Sequence, residues 1–116
     1  MTFDPDKVQA LAQRIRADAV RMVHKAKASH IGTCFSMADL LAVLYGAVLR
    51  VDPARPDWED RDRVVVSKGH GAAAIYAVLA ESGFFPTAWL DTYCADGTRL
   101  RQVVRSGRST YFPVER

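Results

Sequence analysis

Two of the three histidines stand where an irregular, glycine-bearing stretch meets a helical pattern, and their neighbours suit an anionic ligand. His30 follows Ser29 and lies two positions before Gly32. His70 closes the string Ser67, Lys68, Gly69 and is followed by Gly71. Residues 64–66 are three valines, a β-branched run of the kind buried in a parallel sheet, so residues 67–71 read as a turn from strand into helix. Loops beyond the carboxyl ends of parallel strands are where open α/β proteins seat ligands. Glycine lets the backbone approach an anion, and the unpaired amides at a helix start can donate to it. Ser67, Lys68 and His70 would add hydrogen-bonding and positive groups for a phosphate-bearing molecule. Plainer readings stand beside these. A strand followed by a glycine turn is common, the full phosphate-loop and dinucleotide patterns are missing, and a loop histidine is often only exposed.

Other chemistries find less support. Cys34 would be a nucleophile only beside an oriented base. The cluster Asp57, Glu59, Asp60 and Asp62 lacks the ordered donor spacing and glycine of a calcium loop, and reads as a solvated face or as local pairing with Arg61 and Arg63. His24, His30, His70, Cys34 and Cys94 have no zinc-module spacing. No metal ligand is assigned. Trp58 and Trp89 need no role beyond packing.

The elements that must position these groups are legible in outline. Asp4 and Pro5 give a cap and a first-turn proline. Val8, Leu11, Ala12, Ile15, Ala19, Met22, Val23 and Ala26 then recur at three- and four-residue steps, which predicts an amphipathic helix over residues 5–27. Residues 28–35 have no period and read as a loop. Ser36 and Asp39 resemble a capping box before Leu40, Leu41, Leu44, Tyr45, Val48 and Leu49, a second helix apolar on most sides and expected to be buried on most sides. A third helical pattern runs from Ala72 through Leu79 to a stop at Gly83. Thr87 can cap a short last helix holding Trp89, Leu90 and Tyr93.

Composition excludes several classes. The chain has 116 residues and is 49% hydrophobic, which fits one globular unit. Its formal charge of +3 comes from the end: residues 99–116 hold five arginines against Glu115, leaving 11 bases and 12 acids elsewhere. No nucleic-acid motif accompanies that tail, so nucleic acid is not an expected partner. No run of eighteen consecutive apolar residues argues for a membrane span, and no apolar leader opens the chain, so the expected location is the cytoplasm.

Three ordered blocks carry a resemblance. The first is Lys27-Ala28-Ser29-His30-Ile31-Gly32, then Ser36-Met37-Ala38-Asp39-Leu40-Leu41. The second is Pro56-Asp57-Trp58, then Arg61-Asp62-Arg63-Val64-Val65-Val66-Ser67-Lys68-Gly69-His70. The third is Ala74-Ile75-Tyr76-Ala77-Val78-Leu79-Ala80-Glu81-Ser82-Gly83-Phe84-Phe85. In order and spacing they resemble the N-terminal part of transketolase, especially the form divided into two subunits. The resemblance implies an α/β fold, here the incomplete N-terminal part of a thiamine-diphosphate-binding fold with a parallel sheet covered by helices. It implies that His30 lines the substrate channel near the reacting carbon. It gives His70 a catalytic and a cofactor-binding role, near the diphosphate and the sugar, with Ser67, Lys68 and Gly69 around the cofactor. The implied reaction is transfer of a two-carbon ketol unit between sugar phosphates, with thiamine diphosphate and magnesium as the complete enzyme's cofactors.

The departures set further expectations. The family's glycine-aspartate-glycine segment, which holds magnesium and diphosphate, is not in this sequence, nor is the later domain whose glutamate activates the thiamine ring. After Leu100 the family pattern gives way to Arg101-Gln102-Val103-Val104-Arg105. The expectation is a partial transketolase-like domain over residues 1–100, a divergent basic tail over residues 101–116, and a truncated chain. Such a chain would bind no cofactor and be inactive alone, functional only as part of a homo- or hetero-oligomer with the downstream domain or C-terminal subunit. An unpaired strand would leave it poorly soluble or self-associating. The alternative is a noncatalytic assembly or binding fragment that needs a partner chain.

Overall fold

The computed structural model describes residues 3–28, 31–64, 66, 71–95 and 100. Helix α1 spans Pro5–Ala26. Asp4 begins it as the sequence predicts: its Oδ1 accepts from the backbone N–H of Asp6 at 3.0 Å and of Lys7 at 3.4 Å, satisfying donors that have no partner within the helix. Lys27 ends it in the left-handed region with φ 54°, and its N–H returns to the His24 carbonyl. The stripe of Val8, Leu11, Ala12, Ile15, Ala19 and Met22 is buried.

Helix α2 spans Ile31–Val43 and continues through one π-helical turn, Leu44–Val48. The Leu49 N–H closes that turn on the Leu44 carbonyl at 2.8 Å. Two expectations change here. Of the segment read as a loop over residues 28–35, residues 31–35 form the start of α2, while Ser29 and His30 lie outside the described residues. Ser36 caps nothing: its hydroxyl donates to the Thr33 carbonyl at 2.8 Å, one turn back in the same helix. Nor is α2 buried on most sides. Cys34, Met37, Ala38, Leu41 and Ala42 are inside, while Leu40 is 61% exposed and Phe35, Val43 and Val48 join it on the outer face. By length and composition Ile31–Val48 is apolar enough to cross a bilayer, although no uninterrupted apolar run marks it. In this fold one face of it packs on its neighbours.

Helix α3 spans Ala72–Glu81, and a 3₁₀ helix covers Thr87–Thr92. Gly83, the predicted stop, has φ 95°, a conformation that costs glycine little. Thr87 makes no cap; its predecessor Pro86 occupies that position. Phe85 stacks on Trp89 with ring centroids 5.2 Å apart.

The expected α/β fold with a parallel sheet is not what the chain adopts. Among the described residues there is no strand, and Val64 and Val66 lie in irregular backbone. The physical reason is that a strand exists through its ladder. β-branched residues favour pleated backbone chiefly when cross-strand neighbours pack against them, and among the described residues no strand ladder forms at Val64 or Val66. The described chain is a helical layer, and the strand-edge basis for expecting poor solubility goes with the strand.

Specific contacts fix helix directions. The ideal Cβ position of Gly46 lies 3.4 Å from Val8 Cγ2, and Arg14 Nε meets Glu81 Oε1 at 2.9 Å, so the early part of α1 faces the ends of α2 and α3. Tyr45 meets Phe84 edge-on at 6.4 Å. Helix α1 therefore runs antiparallel to both others. The link between α2 and α3 is closed by Asp62, which accepts from the Arg50 backbone N–H at 2.6 Å and returns its own N–H to the Arg50 carbonyl at 2.9 Å. The Arg50 N–H holds the Asp62 carboxyl below the usual carboxylate range. Asp52 does the same work one turn away, accepting from Ala54 and Arg55. Asp62 thus pairs with Arg50 and Asp52 with Arg55, while Asp57, Glu59 and Asp60 are exposed, as a solvated face requires.

Ile15 is fully buried and Leu40 is 61% exposed, which predicts opposite sensitivities. Ile15→Ala is expected to lower unfolding free energy by about 2–5 kcal/mol through lost burial and a residual cavity. Leu40→Ser should change it by no more than about 0.5 kcal/mol, as usual for a surface position, while reducing retention on a hydrophobic-interaction column. Urea unfolding of the three chains measures both; equal costs would mean that α2 is oriented otherwise.

Candidate functional site

His30, His70, Ser67, Lys68 and Gly69 lie outside the described residues. The residues beside them are described, and antiparallel packing gathers these at one end of the layer. Helix α1 ends at Ala26, α2 begins at Ile31 and α3 begins at Ala72. At α3's N-cap, a Cβ on Gly71 would collide with the Met37 thioether and sit 3.5 Å from Thr33 Cγ2. Glycine is needed at position 71 for close approach of α3 to α2, a packing role distinct from the ligand role read in the motif. Gly32, in α2's first turn, has nothing within 4 Å of its Cβ position.

An open concavity of about 720 Å³ occupies the same end, lined by Arg21, Val23, His24, Lys25, Lys27 and Ala28. Four of those six side chains are basic or can become so. In the sequence His24, Lys25 and Lys27 read only as groups that complement a helix C-terminus; antiparallel packing sets them beside the starts of two other helices. Arg21 is partly engaged, with Asp18 at 3.1 Å and Asp91 at 3.6 Å.

The two cysteines are free, Cys34 buried and Cys94 exposed. Cys34 lies in α2, not in a loop, and is 1% exposed. Burial pushes its thiol up, against the lowering contact with the Ala74 backbone, so it is a poor nucleophile near neutral pH. Tyr93 meets Tyr76 at 6.0 Å. Burial first, then the neighbouring Cys94 thiol, push its phenol up to about 12, and it stays protonated. Among the described residues no three His, Cys, Asp or Glu side chains converge as a metal site requires. The residues read for the cofactor, Ser67, Lys68, Gly69 and His70, lie outside the described residues.

One ionisable group escapes sequence reasoning. Asp18 is 6% exposed and falls on the buried stripe of α1 between Ile15, Ala19 and Met22. A carboxylate at a stripe position is the signal that could have found it, since Asp is rarely buried unless paired.

Comparison with known proteins settles the class. Residues 7–92 match the family described as transketolase, thiamine diphosphate binding domain. The chain belongs to the transketolase family. It is 42% identical over 93 residues to the 6-deoxy-6-sulfo-D-fructose transketolase subunit SqwG of Clostridium sp. (strain MSTE9), covering 80% of this chain and 34% of that protein. A transketolase-family protein of Sinorhizobium fredii (strain NBRC 101917 / NGR234) is 41% identical over 102 residues, covering 88% of this chain and 36% of its own length. The transketolase of Sinorhizobium medicae (strain WSM419) is 39% identical over 97 residues, 78% of this chain and 14% of that enzyme. The chain thus spans about a third of the first two relatives and far less of the third.

The two glycines give a direct test of the site's packing. Gly32→Ala should stabilise the chain by about 0.5–1 kcal/mol, because a helical alanine there meets no obstacle. Gly71→Ala should destabilise it by about 1–3 kcal/mol through overpacking, towards the lower end because a thioether can swing aside. In a Met37→Ala background that cost should shrink, a coupling that a double-mutant cycle reads out.

Proposed function

We propose that this chain is the N-terminal part of a ketol transferase of the transketolase family, which moves a two-carbon unit between sugar phosphates. The observation that carries the reading is the family match across residues 7–92, which contains both histidine motifs in order. His30 and His70 would orient sugar hydroxyls and exchange protons beside the reacting carbonyl, work for which imidazole is suited near neutral pH. Ser67, Lys68 and Gly69 would flank the cofactor. Thiamine diphosphate and magnesium belong to the complete enzyme, assembled with the regions that the longer relatives contain. Two features support the anionic substrate class: the basic concavity at the end of α1, and the contact of Gly71 with the first turns of α2, which draws together the described residues flanking the two histidines.

A second reading, a noncatalytic assembly fragment, has its own observation in the exposed outer face of α2, with Phe35, Leu40, Val43 and Val48. One exchange separates the two. Residues 7–92 replace the matching segment of a full-length transketolase, and the chimera is assayed for ketol transfer and for magnesium-dependent cofactor binding. The proposed function requires measurable transfer, lowered about 100-fold or more by His30→Ala or His70→Ala. A folded, cofactor-loaded chimera with no transfer would favour the assembly reading instead.

A further inference from the structure

Asp18 sits in the middle of α1 with one oxygen satisfied and one stranded. Its Oδ1 accepts from Arg21 Nη1 at 3.1 Å. Its Oδ2 is buried and has no donor among the described residues. The group that faces it from α3 is another acceptor, the Glu81 carboxylate, held by Arg14 Nε at 2.9 Å. Arg14 and Asp18 are four residues apart and hence neighbours on one face of α1, so Glu81 lies over both. From the 3₁₀ helix Asp91 shares Arg21 at 3.6 Å. The acid of α2, Asp39, is occupied by Arg16 at 2.9 Å, and position 16 points away from position 18 on a helix. The cluster therefore sets three carboxylates, Asp18, Glu81 and Asp91, against two guanidinium groups, and the surplus negative charge falls where water is scarcest.

One proton resolves both faults. Placed on Asp18 Oδ2, it removes the surplus charge and turns that oxygen into a donor to the Glu81 carboxylate. We propose that Asp18 holds a proton and donates it in a hydrogen bond to the Glu81 carboxylate, making a pH-sensitive clasp that ties α1 to α3. Burial first, then the adjoining Glu81 carboxyl, raise Asp18 to about 7, against the lowering effect of Arg21. The sign follows from the ordinary aspartate value of 3.8: between about pH 4 and about pH 7 the folded chain keeps a proton that the unfolded chain has released. The clasp's contribution is full at the acid end of that window, declines as pH rises through it, and is lost above it. Asp52 and Asp62, whose carboxyls are lowered by backbone N–H groups, contribute with the opposite sense and at more acid pH, so the two effects occupy different windows.

The test is urea unfolding of the 116-residue chain between pH 4 and pH 8, with the Asp18 carboxyl carbon followed by NMR. The folding constant should fall on the order of 1,000-fold across the window, a factor of ten for each of about three units of pKa difference, and Asp18 should titrate near the upper end. Asp18→Asn, whose amide donates to Glu81 without ionising, should remove most of that slope. Glu81→Gln supplies Asp18 Oδ2 with a permanent donor and should return its titration toward the ordinary carboxylate range. A wild-type constant that is flat or rises over the window, an Asp18 that titrates near pH 4, or a chain without cooperative unfolding at either pH would each overturn the clasp.

Discussion

The rest of the fold depends on the enclosure of α3. Residues 73–80 are all buried, so this helix has no face left for solvent and needs cover on every side. Four of the eight are alanines, at positions 73, 74, 77 and 80, and small side chains let neighbouring backbones come close. Helix α1 lies on one side, antiparallel, and α2 on another, parallel. Its two ends carry the contacts that fix its position. Gly71 at its start is pressed against Met37 and Thr33, and Glu81 at its finish takes the Arg14 ion pair. The two ends are therefore where packing constraint gives way to chemistry.

Helix α1 was readable because it is a surface helix with a cap, a first-turn proline and one apolar stripe, signals that stay local. Helix α2 was readable only in its second half. Gly32, Thr33 and Ser36 have poor helix propensity and look like a loop, yet tertiary packing of Cys34 and Met37 holds them helical, and propensity is a weak prior against burial. All-round apolarity was noticed in the wrong helix: Leu40 and Val48 face outward, whereas the shorter Ala72–Glu81 segment is the enclosed one. Residues 64–66 show the opposite failure. Three valines satisfy every local criterion for a buried strand, but pairing is a property of two segments and cannot be read from one.

The candidate site divides in the same way. The histidine motifs are local strings, so order and spacing suffice to recognise them and to expect the transketolase family, which the match over residues 7–92 shows. The Asp18 pair is invisible along the chain because its partner lies on another helix and its burial arises only when α1 meets α3. The acids at Asp52 and Asp62 are an intermediate case. As a run they look like solvated charge, yet each accepts backbone N–H groups that fix a turn, and charge density alone does not reveal which backbone amide will be in reach.

Helix directions tie the basic concavity to the motifs more firmly than either does alone. A helix carries partial positive charge at its start, where N–H groups are unpaired, and partial negative charge at its finish. Antiparallel packing sets the finish of α1 beside the starts of α2 and α3, so two positive helix ends share a border with one negative end. Side chains then decide the balance. At the finish of α1 stand His24, Lys25 and Lys27, with Arg21 one turn earlier. They offset the negative end of their own helix and leave the two positive ends uncancelled. At the far end of the layer the signs reverse: α2 and α3 finish there, and α1 starts with Asp4 and Asp6 in its cap and first turn. An anion approaching the described chain is thus drawn to the end at which residues 28, 31 and 71 lie. That preference follows from helix direction and from Arg21, Lys25 and Lys27, and it does not depend on any single contact within the motifs.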